Sequence, residues 1–272
     1  MNAHTAVARG IIALALALAP NARAQDFASP TAPGASADAC ALLDRGLPGE
    51  TATLALSAAR TRWWGLDELE TRALAASAAW RSLRVSAGLS QTGDPELGWT
   101  SLALGLGGAA HGAGAGLRAC TRRDRDAPWS VTRAFASGAG VEVGAGAWLE
   151  AAPGVRAWAS APQMWTEGAS PPLARALELG VRVGGPSGAW ARLVSPRAGD
   201  DGERALGVSL GLAPAQVWAE VRDAPLRGAV GLGAALGSLR VDARVDAHPV
   251  LGETTRMGLT WVRAAGTAAR TP

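Results

Sequence analysis

The residues of this chain that could do chemistry are few and scattered. Gly207-Val208-Ser209-Leu210-Gly211 has the spacing of a nucleophile elbow, which needs a sharp strand-to-helix turn to expose its serine. Here the pentapeptide lies inside an alternating run, with Leu206, Val208, Leu210 and Leu212 set against Ala205, Gly207, Ser209 and Gly211. That pattern is mid-strand, so Ser209 lacks the turn and a hydrolase is the weakest functional reading. His111 falls in a short connection and His248 at a strand end, where Asp246 shares its face. Two residues make neither a triad nor a metal site. Asp67, Glu68 and Glu70 form an acidic loop that reads as solvated rather than as a divalent-cation site. The glycine-rich stretch 105–116 has no following helix and no Lys-Ser/Thr, so it is no phosphate loop. We expect no catalytic residue, no metal and no cofactor, and not an enzyme.

The most distinctive polar series is Arg240, Asp242, Arg244 and Asp246, spaced two apart with Leu239, Val241, Ala243 and Val245 between them. A period of two puts the four charges on one face of a strand. An arginine on a lipid-facing surface near the bilayer midplane costs about 2–4 kcal/mol, so in a membrane barrel this face must turn inward. Glu178, Arg182, Arg192, Glu220 and Arg222 fall on the less aliphatic face of their own strands, and cross-strand ion pairs are feasible where those strands adjoin. Two uses remain open for such a row. It either fills and stiffens a lumen or guides a substrate through it.

The elements that must hold these charges follow from the same period. Alternating runs recur from residue 51 onward, for example Leu83, Val85, Ala87 and Leu89 against Arg84, Ser86, Gly88 and Ser90. A soluble barrel would carry Lys, Glu, Thr and Asn on its wet face, whereas the face opposite the aliphatic one is here Gly, Ala and Ser. Small residues suit an interior, which leaves the aliphatic face to lipid and closure to satisfy the backbone. About fourteen strands are expected, near 51–60, 71–80, 83–91, 99–107, 112–121, 138–149, 155–160, 173–183, 189–195, 204–212, 215–222, 227–236, 239–247 and 255–263. Their connections are alternately short and long, the asymmetry of a transmembrane antiparallel up-and-down β-barrel with periplasmic turns and longer outer loops. Trp80, Trp99, Trp148, Trp190 and Trp261 stand at predicted strand ends, where an interfacial aromatic girdle needs them. Trp190 shares strand parity with Arg192, so those two assignments conflict.

Residues 11–19 are continuously apolar, follow Arg9 and lead to Ala22-Arg23-Ala24, which predicts a signal peptide over 1–24 cleaved before Gln25. Residues 25–50 leave the strand pattern and read either as a flexible periplasmic leader or as a lumen plug, ahead of a barrel over 51–263 and a tail over 264–272. Cys40 lies far beyond the apolar run and lacks the apolar residue expected three positions earlier, against lipidation. Cys40 and Cys120 would meet oxidising conditions after export, where a disulfide is allowed but not implied. The basic residues are all arginine, and removal of Arg9 and Arg23 leaves 24 against 23 carboxylates, a near-neutral balance that argues against nucleic acid. Location in the bacterial outer membrane follows, with outer-membrane lipid and the barrel-assembly machinery as partners.

The C-terminal stretch Pro225-Leu226-Arg227-Gly228, then Gly231-Leu232-Gly233, Leu239-Arg240-Val241-Asp242 and the turn His248-Pro249-Val250-Leu251-Gly252, resembles the end of PorV/PorQ-type barrels. These belong to the fatty-acid-transporter-like (FadL-like) group, in which a strand with inward polar residues leads through a His-Pro-x-Leu-Gly turn to the last strand. The resemblance implies a non-enzymatic barrel, secretion-associated or structural, with secreted proteins or secretion components as partners. The alternative is a passive channel or transporter for hydrophobic or small solutes.

Overall fold

The computed structural model describes residues 27, 39–49, 52–93, 98–125, 139–168, 176–196, 202–223 and 226–264. The expected cleavage residues Ala22, Ala24 and Gln25, with residues 265–272, lie outside the described residues. A short helix, α1 (Ala39–Arg45), precedes fourteen strands. They are β1 (Ala52–Arg62), β2 (Glu70–Trp80), β3 (Leu83–Gly93), β4 (Gly98–Ala110), β5 (Ala113–Arg125), β6 (Ala139–Ala152) and β7 (Val155–Gly168). They continue as β8 (Ala176–Gly184), β9 (Gly188–Pro196), β10 (Glu203–Leu212), β11 (Ala215–Asp223), β12 (Leu226–Leu236), β13 (Leu239–His248) and β14 (Gly252–Ala264).

Each strand pairs antiparallel with its neighbours in the chain, and β1 pairs with β14, so the sheet is a closed barrel without edges. Closure matters because lipid offers backbone groups no hydrogen bond. The two faces are inverted relative to a soluble protein. Leu56, Leu74, Leu104, Leu117, Val208 and Leu232 are exposed, while Ser57, Ser86, Ser101, Ser160, Glu220 and Asp242 are buried. Apolar outside and polar inside is the arrangement of a barrel standing in lipid.

At one end the strands are joined by tight turns, among them 81–82, 111–112, 153–154, 213–214 and 237–238. The turn between β4 and β5 takes positive φ at both His111 (51°) and Gly112 (73°), the mirror-image turn whose twist matches a hairpin. The other end carries the longer connections, among them 63–69 and 126–138, beside short ones at 224–225 and 249–251, and is therefore the outer one. Ala52 pairs with Ala264 at the tight-turn end, so the barrel begins and finishes on the periplasmic side.

Several strands run three or four residues beyond their sequence-based bounds, and β7 departs furthest. β7 runs to Gly168 instead of stopping at 160, and its register with β6 shifts between Val143 and Ala145. Pro162 interrupts the alternation there, which reads in sequence as the end of a strand. A proline is accommodated at a bulge, and the paired strand resumes beyond it.

Candidate functional site: the barrel lumen

Most of the inward charges on β8 to β13 join in a network from Glu178 to Arg244, with Arg240 and Asp242 a separate pair and Arg182 held by neutral oxygens. Glu220 on β11 is the centre of the network. Its two carboxylate oxygens accept from Arg192 Nε at 2.9 Å and Nη2 at 2.7 Å, from Arg222 Nε at 2.7 Å and from the Trp190 indole Nε1 at 2.9 Å. Arg192 also faces Glu178 at 3.7 Å and Glu203 at 3.9 Å, and Arg222 reaches Asp246 at 3.2 Å. Asp246 in turn accepts from Arg244 Nε at 2.6 Å. Along β13, Arg240 holds Asp242 through Nε at 2.7 Å and Nη2 at 2.8 Å. Arg182 donates to Gly185 O at 2.8 Å and Ser209 Oγ at 3.0 Å. All nine charges expected from strand parity therefore face the lumen.

The tryptophans divide differently from the expected girdle. Trp80 and Trp261 do point outward, but Trp99, Trp148 and Trp190 are buried inside the barrel. The reason is cross-strand packing on glycine. Trp148 is paired with Gly114, Trp158 with Gly180, Trp190 with Gly207 and Trp218 with Gly231. At Gly114 an added Cβ would come within 2.5 Å of its partner indole, and at the other three within 2.1–2.2 Å, so each ring lies flat across a bare backbone. A large ring over a strand glycine restores the packing that the missing side chain forgoes. The indoles also serve as donors, Trp148 to Pro48 O at 2.9 Å and Trp158 to Glu178 Oε1 at 3.0 Å. Trp158 and Trp218 carry no signal in the strand-end argument; their partner glycines are the signal that could have found them.

The other half of the lumen is occupied by the chain's own N-terminal segment. Phe27, Cys40, Leu42, Leu43, Leu47 and Pro48 are buried against the inner faces of β1 to β7. Burial of each large apolar side chain is worth about 1.5–3 kcal/mol. α1 ends at Gly46, whose φ of 69° and bond to Leu42 O at 3.0 Å form a left-handed cap. The barrel wall is shaped to this segment. A Cβ at Gly146 would lie 2.3 Å from Arg45 O, one at Gly105 2.7 Å from Leu42 Cγ, and one at Gly88 2.6 Å from Leu43 and Phe27. Ser160 Oγ donates to Arg45 O at 2.7 Å, and the Arg45 guanidinium faces Glu178 at 3.6 Å, which joins the plug to the charge network. Cys40 and Cys120 sit in the same buried cluster. In the folded barrel a bulky maleimide is expected to label Cys40 at least tenfold more slowly than in the urea-unfolded chain, and equal rates would place the segment outside the lumen.

Most of the remaining chemical candidates have structural partners. Ser209 lies mid-strand on β10, where its hydroxyl donates to Gly188 O at 3.4 Å and accepts from Arg182. His248 Nδ1 accepts the N–H groups of Val250 at 3.2 Å and Leu251 at 3.1 Å, which closes the His248-Pro249-Val250-Leu251 turn ahead of Gly252. His111 is exposed in its periplasmic turn. Asp67 pairs with Arg62 at 3.0 Å, and Glu70 pairs with both Arg60 and Arg72, so those two carboxylates of the outer loop are held by arginines.

Fold and lumen together define an outer-membrane β-barrel protein of fourteen strands. No protein-family model matches the chain, and no curated protein matches it. Among solved structures it is similar to the outer membrane protein Omp33 of Acinetobacter baumannii, with 8% identity and a TM-score of 0.49 over 78% of this chain and 99% of that one. A mutant porin of Rh. blastica is similar at 9% identity and a TM-score of 0.42, over 76% of this chain and 98% of that one. These are likenesses of architecture, and no residue role is carried across from them.

Proposed function

We propose that the chain is a non-enzymatic outer-membrane scaffold barrel, closed to solutes by its own N-terminal segment and delivered by a cleaved signal peptide and the barrel-assembly machinery. The observation that carries this reading is the match between plug and wall. Gly88, Gly105 and Gly146 stand where any side chain would collide with Phe27, Leu42, Leu43 or the Arg45 backbone. A wall built around a segment is a wall that normally holds it. A secretion-associated role, implied by the PorV/PorQ-type C-terminal stretch, fits such a closed barrel, with secreted proteins or secretion components docking outside the lumen. The second reading is a channel gated by α1. It is favoured by the surplus of arginine on the inner face, where Arg84, Arg118 and Arg256 add to the network's own cations.

Planar-bilayer current on the refolded full chain separates the two. A scaffold gives conductance near zero, and steady channels from the unaltered protein would refute it. Gly146→Val keeps a strand-compatible residue yet cannot coexist with Arg45 O in its present place. This variant is expected to raise both single-channel current and Cys40 labelling, because the segment is then displaced.

A further inference from the structure

The outer wall carries a groove of about 740 Å³ that crosses β13, β14, β1, β2 and β3. Ala58 forms its floor. In register Ala58 stands between Leu74 on β2 and Leu259 on β14, so one small residue leaves a trough between aliphatic rows that also include Leu89, Val241 and Met257. The trough is apolar along its length and faces the lipid.

At its outer end the chemistry changes. Arg60 and Arg72 are directly opposite each other on β1 and β2, both on the outward face. Like charges so placed repel. Glu70 lies between them, accepting from Arg60 Nη2 at 2.5 Å and from Arg72 Nε at 2.6 Å. One carboxylate against two guanidiniums leaves a positive charge. The arginine side chains are also 61% and 78% exposed, whereas Glu70 is 11% exposed, so their remaining donors face outward. Arg60 is two residues from the end of β1, which at about 3.3 Å per residue sets it within roughly 7 Å of the outer rim. There an outward arginine costs only about 0–1 kcal/mol. The row continues along the rim. Arg72 pairs with Gln91, Gln91 with Thr100 and Thr100 with the exposed Arg123, three strand spacings or about 14 Å away.

We propose that this groove binds a bisphosphorylated glycolipid of the outer leaflet. One acyl chain lies in the Ala58 trough, one phosphate bridges Arg60 and Arg72, and the second meets Arg123. The planar guanidinium fork matches phosphate oxygens two at a time, and an apolar channel ending in such forks is complementary to an anionic lipid rather than to a free phosphate. The two separated cationic points select a headgroup with two phosphates over one with a single phosphate.

The test uses the full chain folded in detergent, incubated in turn with bisphosphoryl lipid A, monophosphoryl lipid A and phosphatidylglycerol, with retained lipid counted by native mass spectrometry. Bisphosphoryl lipid A should be retained at least tenfold more than phosphatidylglycerol. The Arg60→Ala/Arg72→Ala double variant should lose at least tenfold of it, and Arg123→Ala should lower it to the level of monophosphoryl lipid A. Ala58→Trp fills the trough without changing charge and should also abolish retention, while Arg204→Ala, an exposed outward arginine elsewhere on the rim, should not. Heat-modifiable mobility confirms that each variant is folded. Unchanged retention in the folded double variant, or phosphatidylglycerol held as well as lipid A, overturns the proposal.

Discussion

Replacing Glu220 by alanine is expected to destabilise the membrane-folded barrel by about 3–5 kcal/mol, the cost of breaking a buried ion pair by removing one partner. The Glu220 side chain is 0% exposed, and its two oxygens accept four hydrogen bonds, from Arg192 twice and from Arg222 and Trp190. Without it, Arg192 keeps only the longer approaches to Glu178 and Glu203, at 3.7 and 3.9 Å, and Arg222 turns on Glu203 and Asp246. Two guanidiniums of low exposure then lose their central partner. Arg204 and Asp223 supply the comparison. They pair at 3.7 Å on the outer surface, both well exposed, and Asp223→Ala should cost about 0–1 kcal/mol. Urea unfolding from lipid vesicles measures both. Equal losses would mean that the lumen is wet around Glu220 and that the network is a solvated path instead of a structural one.

Why was so much of this lumen legible in the chain? Strand parity is a rigid rule, since a side chain two residues on returns to the same face. Once Arg240, Asp242, Arg244 and Asp246 are turned away from lipid, the wall they line follows from alternation alone, and the same holds for Glu178, Arg192 and Glu220. Parity says nothing about partners on other strands. Arg192 and Glu220 are two strands apart and meet because β10 places Ala205 and Gly207 between them, in register with Arg192 and Trp190 on one side and Arg222 and Glu220 on the other. Small residues on a middle strand let long side chains from its neighbours touch across it.

The tryptophans show where a local rule fails. Position near a strand end suggests an interfacial ring, but Trp190 could not be both interfacial and on the face of Arg192, and the structure resolves the conflict inward. Each lumenal indole at Trp148, Trp158, Trp190 and Trp218 is fixed by a glycine on the adjoining strand, which only the register reveals. The plug was legible only as an alternative to a flexible leader. Residues 39–45 are too few to declare an amphipathic helix, and the glycines that receive them are spread over β3 to β6. Their clustering exists only after the sheet has closed.

Depth along a single outward face gives the most direct test of what surrounds the barrel. On β12, Leu226, Leu232 and Leu236 all point outward and are exposed, with Leu226 at the outer end, Leu236 at the periplasmic end and Leu232 between them. In lipid, arginine costs about 2–4 kcal/mol at the midplane and about 0–1 kcal/mol near either interface. Leu232→Arg should therefore destabilise the folded state by about 2–4 kcal/mol, and Leu226→Arg and Leu236→Arg by about 1 kcal/mol at most. In water the three substitutions would be alike and close to neutral, because each replaces an exposed leucine with a well-hydrated charge. Unfolding titrations of the three variants in vesicles read this profile without any assumption about the lumen. A flat profile would remove the bilayer from around β12. A maximum at Leu232 requires a hydrocarbon layer centred on that residue, with the long loops on one side of it and the tight turns on the other.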